Sequence, residues 1–217
     1  MPHPARTFHP ARTALISSFV LLLQSVDAQS AIHYSEVQDL VIPADIDGIY
    51  INPFSDVTSY SYPSDYESQP WVNLLFSGMV IGSSGAFEPI ITDPATGNGD
   101  GLILAQDFLN NIGSGLDFAD GPNGSENHMG SAPGQFQDGE EAYLGFRFKT
   151  TPSELYRYGW IRITLNSVEP SVIHDWAWEG TFEQAIEAGS FTSVPEPSMF
   201  LLIAVGAGGL LFRRRLE

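Results

Sequence analysis

The sequence runs to 217 residues, carries a formal net charge of −17 and contains no cysteine. Without thiols, disulfides, thiolate metal sites and a cysteine nucleophile are excluded. An acidic excess of this size repels nucleic acid and anionic lipid; it suits divalent cations or, more simply, solubility in an ion-rich exterior.

The first element is a secretory signal. Arg6 and Arg12 form a positive n-region, Ala14 to Leu23 is an apolar core, and Val26-Asp27-Ala28 places small residues where a signal peptidase needs them. As a plain anchor the core is short. Residues 1–28 are therefore expected to be cut after passage through the secretion translocon.

Residues 29–193 follow, enough chain for one domain with a real core. Only Arg147, Lys149, Arg157 and Arg162 are basic in this stretch, against twenty-three Asp and Glu, a formal charge of −19. The patterning predicts strands and turns. Tyr34–Ile42, Gly48–Asn52, Trp71–Ile81 and Leu102–Phe108 are short apolar or alternating runs, separated by turn-rich stretches at Pro53–Pro70 and Thr92–Gly101. In Ala142–Lys149, Leu144, Phe146 and Phe148 alternate with Tyr143, Arg147 and Lys149, with Gly145 between. In Tyr158–Asn166, Ile161, Ile163 and Leu165 alternate with Trp160, Arg162 and Thr164, and Val172–Glu179 is a third such run. The first two are joined through Thr151-Pro152-Ser153, too short for a crossover, so they should pair antiparallel. Asp107–Ile112 and Phe182–Glu187 read as helical turns or short helices.

Three constellations could carry chemistry. Tyr158, Trp160, Trp176 and Trp178 offer either a stacking platform for sugar rings or the large side chains of a core. Arg147 and Arg162 are placed to pair with Glu141, Asp175 or Glu179 across the sheet. Acidic Gly-rich loops supply Asp45 and Asp47, Asn98 and Asp100, and Asp117 and Asp120, oxygen ligands of the kind calcium takes, although Asp and Asn before Gly are also ordinary turn chemistry. None fits the helix–loop–helix calcium spacing. No Gly-x-Ser-x-Gly elbow, His-Glu-x-x-His pair or phosphate loop occurs, and adjacent pairs such as Glu140-Glu141 and His174-Asp175 would face opposite sides of a strand.

The last element begins at Val194-Pro195-Glu196-Pro197-Ser198. The prolines hold the chain extended, the fourteen residues Met199–Phe212 are apolar and rich in Gly and Ala, and Arg213, Arg214 and Arg215 follow. The run is short for a permanent span, and the arginines stay cytoplasmic by the positive-inside rule. An ordinary anchor or a temporary, enzymatically removed one would both fit. Motif, run and Arg cluster, in this order, resemble the PEP-CTERM sorting signal of exported proteins in exopolysaccharide-making Gram-negative bacteria. The resemblance implies an exosortase as partner, a membrane-embedded cysteine peptidase-like enzyme. It also implies that Pro195, Glu196 and Pro197 serve recognition, that 199–212 is a temporary span, and that the arginines are the cytoplasmic stop. Tyr143–Phe148, Tyr158–Ile161, His174–Glu179 and Ala188-Gly189 resemble a block of uncharacterised PEP-CTERM proteins, which implies a β-domain and no catalytic residue.

These readings predict an all-β fold: one antiparallel β-sandwich or jelly-roll-like domain at 29–193, flanked by a signal peptide and, at 194–217, a transmembrane sorting helix. The expected function is that of a non-catalytic exported protein of the cell surface or extracellular matrix, transiently anchored and without a cofactor. A carbohydrate-binding module, calcium-assisted and directed at exopolysaccharide, and a polysaccharide hydrolase are the alternatives.

Overall fold

The computed structural model describes residues 31–92, 102–119, 124–125, 134–168 and 170–191, all within one compact unit, Ser30–Ser193. The signal peptide and the sorting segment lie outside them. The described residues form antiparallel β-structure, with no α-helix among them and one short 3-10 turn at Phe76–Gly78.

The frame is a meander of β11 (Glu141–Phe148), β12 (Arg157–Thr164) and β13 (Ser171–Glu179). Leu144 lies opposite Ile161 and Phe146 opposite Gly159. Residues directly opposite share a face, so the period-2 pattern of the sequence becomes one apolar surface. Leu144, Phe146, Phe148, Ile161, Ile163 and Leu165 are all buried in one core cluster, as the alternation predicts. Gly159 leaves room for the Phe146 ring: a β-carbon there would lie 2.4 Å from Phe146 Cζ.

A bulge re-aims β13. Arg162 pairs with Asp175, but Ile163 pairs with Ile173, which leaves His174 as the extra residue. The phase of the strand changes there, so Ile173, Trp176 and Trp178 all face the same core despite uneven spacing.

The remaining strands complete two sheets. β13 is flanked by β1 (Ile32–Tyr34) and β2 (Leu40–Ile42), and β11 by β7 (Phe87–Pro89) and β8 (Ala105–Gln106), giving a seven-stranded sheet. The single run expected over Tyr34–Ile42 is thus two strands on one edge. Glu36 and Asp39 between them are left-handed, with φ of 59° and 47°. The second sheet has five strands: β3 (Ile49–Asn52), β4 (Val57–Ser59), β5 (Val72–Leu75), β6 (Val80–Ser83) and β10 (Gly124–Ser125). Trp71–Ile81, expected as one strand, is the β5–β6 hairpin turned at Phe76–Met79, and β4 emerges from the stretch expected to be turns. Inward residues of this sheet, Ile49, Ile51, Val72, Leu74 and Ile81, share the core cluster with the meander.

The opposite face of the seven-stranded sheet is also covered. The segments expected as helical turns instead supply β9 (Asn111–Ile112) and β14 (Ile186–Glu187), which pair with each other. Each segment is too short to repay a helix nucleus. Pairing buries Ile112 and Ile186 against Tyr143, Tyr158, Trp160 and Ala177 in a second cluster. The central sheet is therefore packed on both faces.

Candidate binding site

The four aromatics of the supposed sugar platform belong to neither one surface nor any exposed one. Tyr158 and Trp160 lie in the second cluster and Trp176 and Trp178 in the main core, and the first three are each 1% exposed. Alternation decides this: Trp160 stands opposite Ala177 on one face, while Trp176 stands opposite Ile161 on the other. The indole N–H groups are satisfied from within. Trp176 Nε1 donates to Asp56 Oδ1 (2.8 Å) and Trp160 Nε1 to the Ser190 carbonyl (3.2 Å). Trp178 stacks on the exposed His33 ring at a centroid distance of 4.0 Å.

Arginines organise the second face. Arg162 grips the buried Asp175 with two bonds, Nε to Oδ1 (2.9 Å) and Nη2 to Oδ2 (2.6 Å), and reaches Glu141 with Nη1 (3.2 Å). The Tyr34 hydroxyl also donates to Asp175 (2.8 Å). Burial, and then this hydrogen bond, push the Tyr34 phenol up to about 12, and the Asp175 hydrogen bonds push the Arg162 guanidinium up. Arg147 pairs with Glu88 of β7 rather than with the acids named from sequence, at 2.6 Å, and its guanidinium covers the Tyr156 and Phe118 rings.

Beside Glu88 opens a cleft of about 540 Å³. Three separate connections form it: Glu67 and Ser68 before β5, Gly85 and Ala86 between β6 and β7, and Lys149 to Pro152 after β11. Glu88 lines it too, but its oxygens accept from Arg147 and from the Tyr156 hydroxyl (3.0 Å), so this carboxylate holds the wall together. Lys149 Nζ sits 3.9 Å from the Tyr156 ring centroid. Glu67 accepts from the Tyr62 hydroxyl (2.8 Å) through one oxygen. Thr150, which lines the cleft, donates to Glu154 through both backbone and side chain, which lowers the Glu154 carboxyl. Sequence reading missed this cleft because its parts are far apart along the chain. One signal was available: Lys149 is the only lysine of the 217 residues.

Of the loops considered for calcium, Asn98, Asp100 and Asp120 lie outside the described residues. Asp45 and Asp47 are exposed, and Asp45 Oδ1 accepts from the Gly48 N–H (2.8 Å), capping the turn into β3. Asp117 is exposed in its own loop. Among the described residues no group of three or more His, Asp or Glu converges as a metal site would need.

A protein-family model for the PEP-CTERM protein-sorting motif matches residues 193–215. The chain carries a PEP-CTERM sorting motif. Val194, Pro195, Glu196, Pro197 and Arg213 to Arg215 all fall within the matched span. The motif implies an exported protein, processed by an exosortase and sorted to the membrane or cell surface. No curated protein and no solved structure matches the chain. Among the described residues no helix is long and apolar enough to cross a membrane, and Met199–Phe212 lies outside them.

Proposed function

We propose that the exported segment is a non-catalytic component of the cell surface or extracellular matrix, delivered there by its PEP-CTERM motif and released from its temporary anchor. One observation carries the reading: Tyr158, Trp160, Trp176 and Trp178, the side chains best suited to a sugar platform, are spent on two cores. Two antiparallel sheets sharing the main core support a β-sandwich as the architecture. The sequential meander β11–β12–β13 is simpler than jelly-roll connections. Glu141 and Asp175 on the meander and Glu88 on β7 serve as partners for arginine, and the acidic remainder keeps a secreted surface hydrated.

Deleting the protein in its own host should weaken surface or matrix cohesion, while the purified protein releases no reducing ends from host polysaccharide. Release of reducing ends, abolished by replacing a single carboxylate, would overturn the reading in favour of a hydrolase.

A further inference from the structure

We infer that the cleft at Lys149 binds an acidic sugar, taking the sugar's carboxylate on the Lys149 ammonium and its hydroxyl groups on the few polar side chains of a largely apolar cleft wall. The inference concerns the ligand alone and does not depend on the sorting route.

Charge accounting leads to it. Of the four basic side chains in 29–193, Arg147 is neutralised by Glu88, Arg157 by Glu154 (3.5 Å), and Arg162 by Asp175 and Glu141. Lys149 alone has no ion-pair partner among the described residues, in a segment with a nearly sixfold excess of acids. An ammonium left unpaired in such surroundings is available to an external anion.

The group is also held ready. Lys149 is half-buried and its backbone N–H bonds the Ala86 carbonyl (3.3 Å). Its ammonium packs over the Tyr156 ring, and that ring is fixed by its hydroxyl on Glu88. A cation pinned in this way gives up less rotamer freedom on binding than a free lysine would.

The rest of the wall suits a sugar. Ser68 and Thr151 bring hydroxyls, and Glu67 brings a carboxylate that can accept from sugar hydroxyls. The cleft volume falls within the range of about 300–1,000 Å³ typical of ligand pockets. Glu67 also opposes multiply charged ions, and the −19 segment repels dense polyanions at long range. A singly charged anion set among hydroxyls fits both constraints better than inorganic phosphate or sulfate, and the carboxylate of a uronic acid is the one we assign.

The test uses processed protein purified from its host. Because Lys149 is the only lysine, reductive ¹³C-methylation marks it and the terminal amine alone, giving a nearly isolated reporter. Methyl galacturonoside should shift the Lys149 methyl signal. In calorimetry on unlabelled protein it should bind roughly tenfold tighter than neutral methyl galactoside, a difference of one ion pair in a partly enclosed site. Lys149→Gln should erase the preference while the protein still folds, its melting temperature lowered by no more than the lost contact with Tyr156, and Lys149→Arg should retain it. Acetate should shift the signal only weakly. Equal binding of both sugars, an unmoved signal, acetate matching the galacturonoside, or a preference that survives Lys149→Gln would each overturn the inference.

Discussion

Trp176 Nε1 donates a hydrogen bond to Asp56 Oδ1 over 2.8 Å, joining a core indole of the seven-stranded sheet to the turn between β3 and β4 of the other sheet. Asp56 is exposed and left-handed, with φ of 55°, so the indole helps fix an otherwise unfavourable turn. Trp176→Phe should cost about 1–2 kcal/mol through the lost hydrogen bond and smaller ring. Trp176→Ala should cost about 3–5 kcal/mol through the cavity it leaves. Urea unfolding followed by fluorescence measures both. A near-neutral Trp176→Ala would mean the ring is not part of the core.

Arg162 and Asp175 form the second relationship open to test. Asp175 is 2% exposed, so Arg162→Met strands a buried charge that the Tyr34 hydroxyl only partly satisfies. A loss of about 3 kcal/mol is expected, at the lower end for a broken buried pair. Adding Asp175→Asn to Arg162→Met should recover part of it, because an uncharged amide is cheaper to bury. Further loss in the double variant would contradict the pairing.

Alkaline pH offers a third test. Burial, with help from Asp175, raises Tyr34 from 10.0 to about 12, and burial also raises Tyr50, Tyr66, Tyr143 and Tyr158. The fold therefore favours the protonated phenols. Their contribution is complete below about pH 10, the unfolded value, and is lost as pH climbs through the folded values. The melting temperature should hold steady up to pH 10 and then fall toward pH 12, with the tyrosinate absorbance of these five rings appearing late. Tyr34→Phe should soften that fall. Titration of these five rings at pH 10 in folded protein would contradict their burial.

Calcium is expected to leave the domain unmoved. The Asp45 side chain already serves the Gly48 turn, and no cluster of ligands forms among the described residues. The melting temperature should be unchanged by millimolar calcium. An upward shift that grows with calcium concentration would reveal a site by mass action.

The meander was legible in the sequence because Leu144, Phe146 and Phe148 and then Ile161 and Ile163 alternate cleanly over whole strands. The edges were not. Asn111–Ile112 and Ile186–Glu187 are two-residue strands, too short for any periodicity, and each is paired across more than seventy residues of chain. The bulge at His174 shifted the phase of β13, so no simple alternation could place Trp176 and Trp178 on the face opposite Trp160. The cross-strand Arg162 pairs could be read from neighbouring strands, whereas Glu88 could not be assigned to Arg147 without knowing that β7 borders β11. The Lys149 cleft depends on three turns meeting, which is a tertiary fact.

Intact-mass measurement of the protein recovered from the surface or medium of its own host tests the sorting account most directly. The expected mass is that of a chain lacking residues 1–28 and Met199–Glu217, ending at or near Pro195–Ser198, with uncut protein accumulating in the inner membrane when Glu196 or Arg213–Arg215 is replaced. Tail still attached in a host that carries an exosortase, or mass and export unaltered by both replacements, would contradict it.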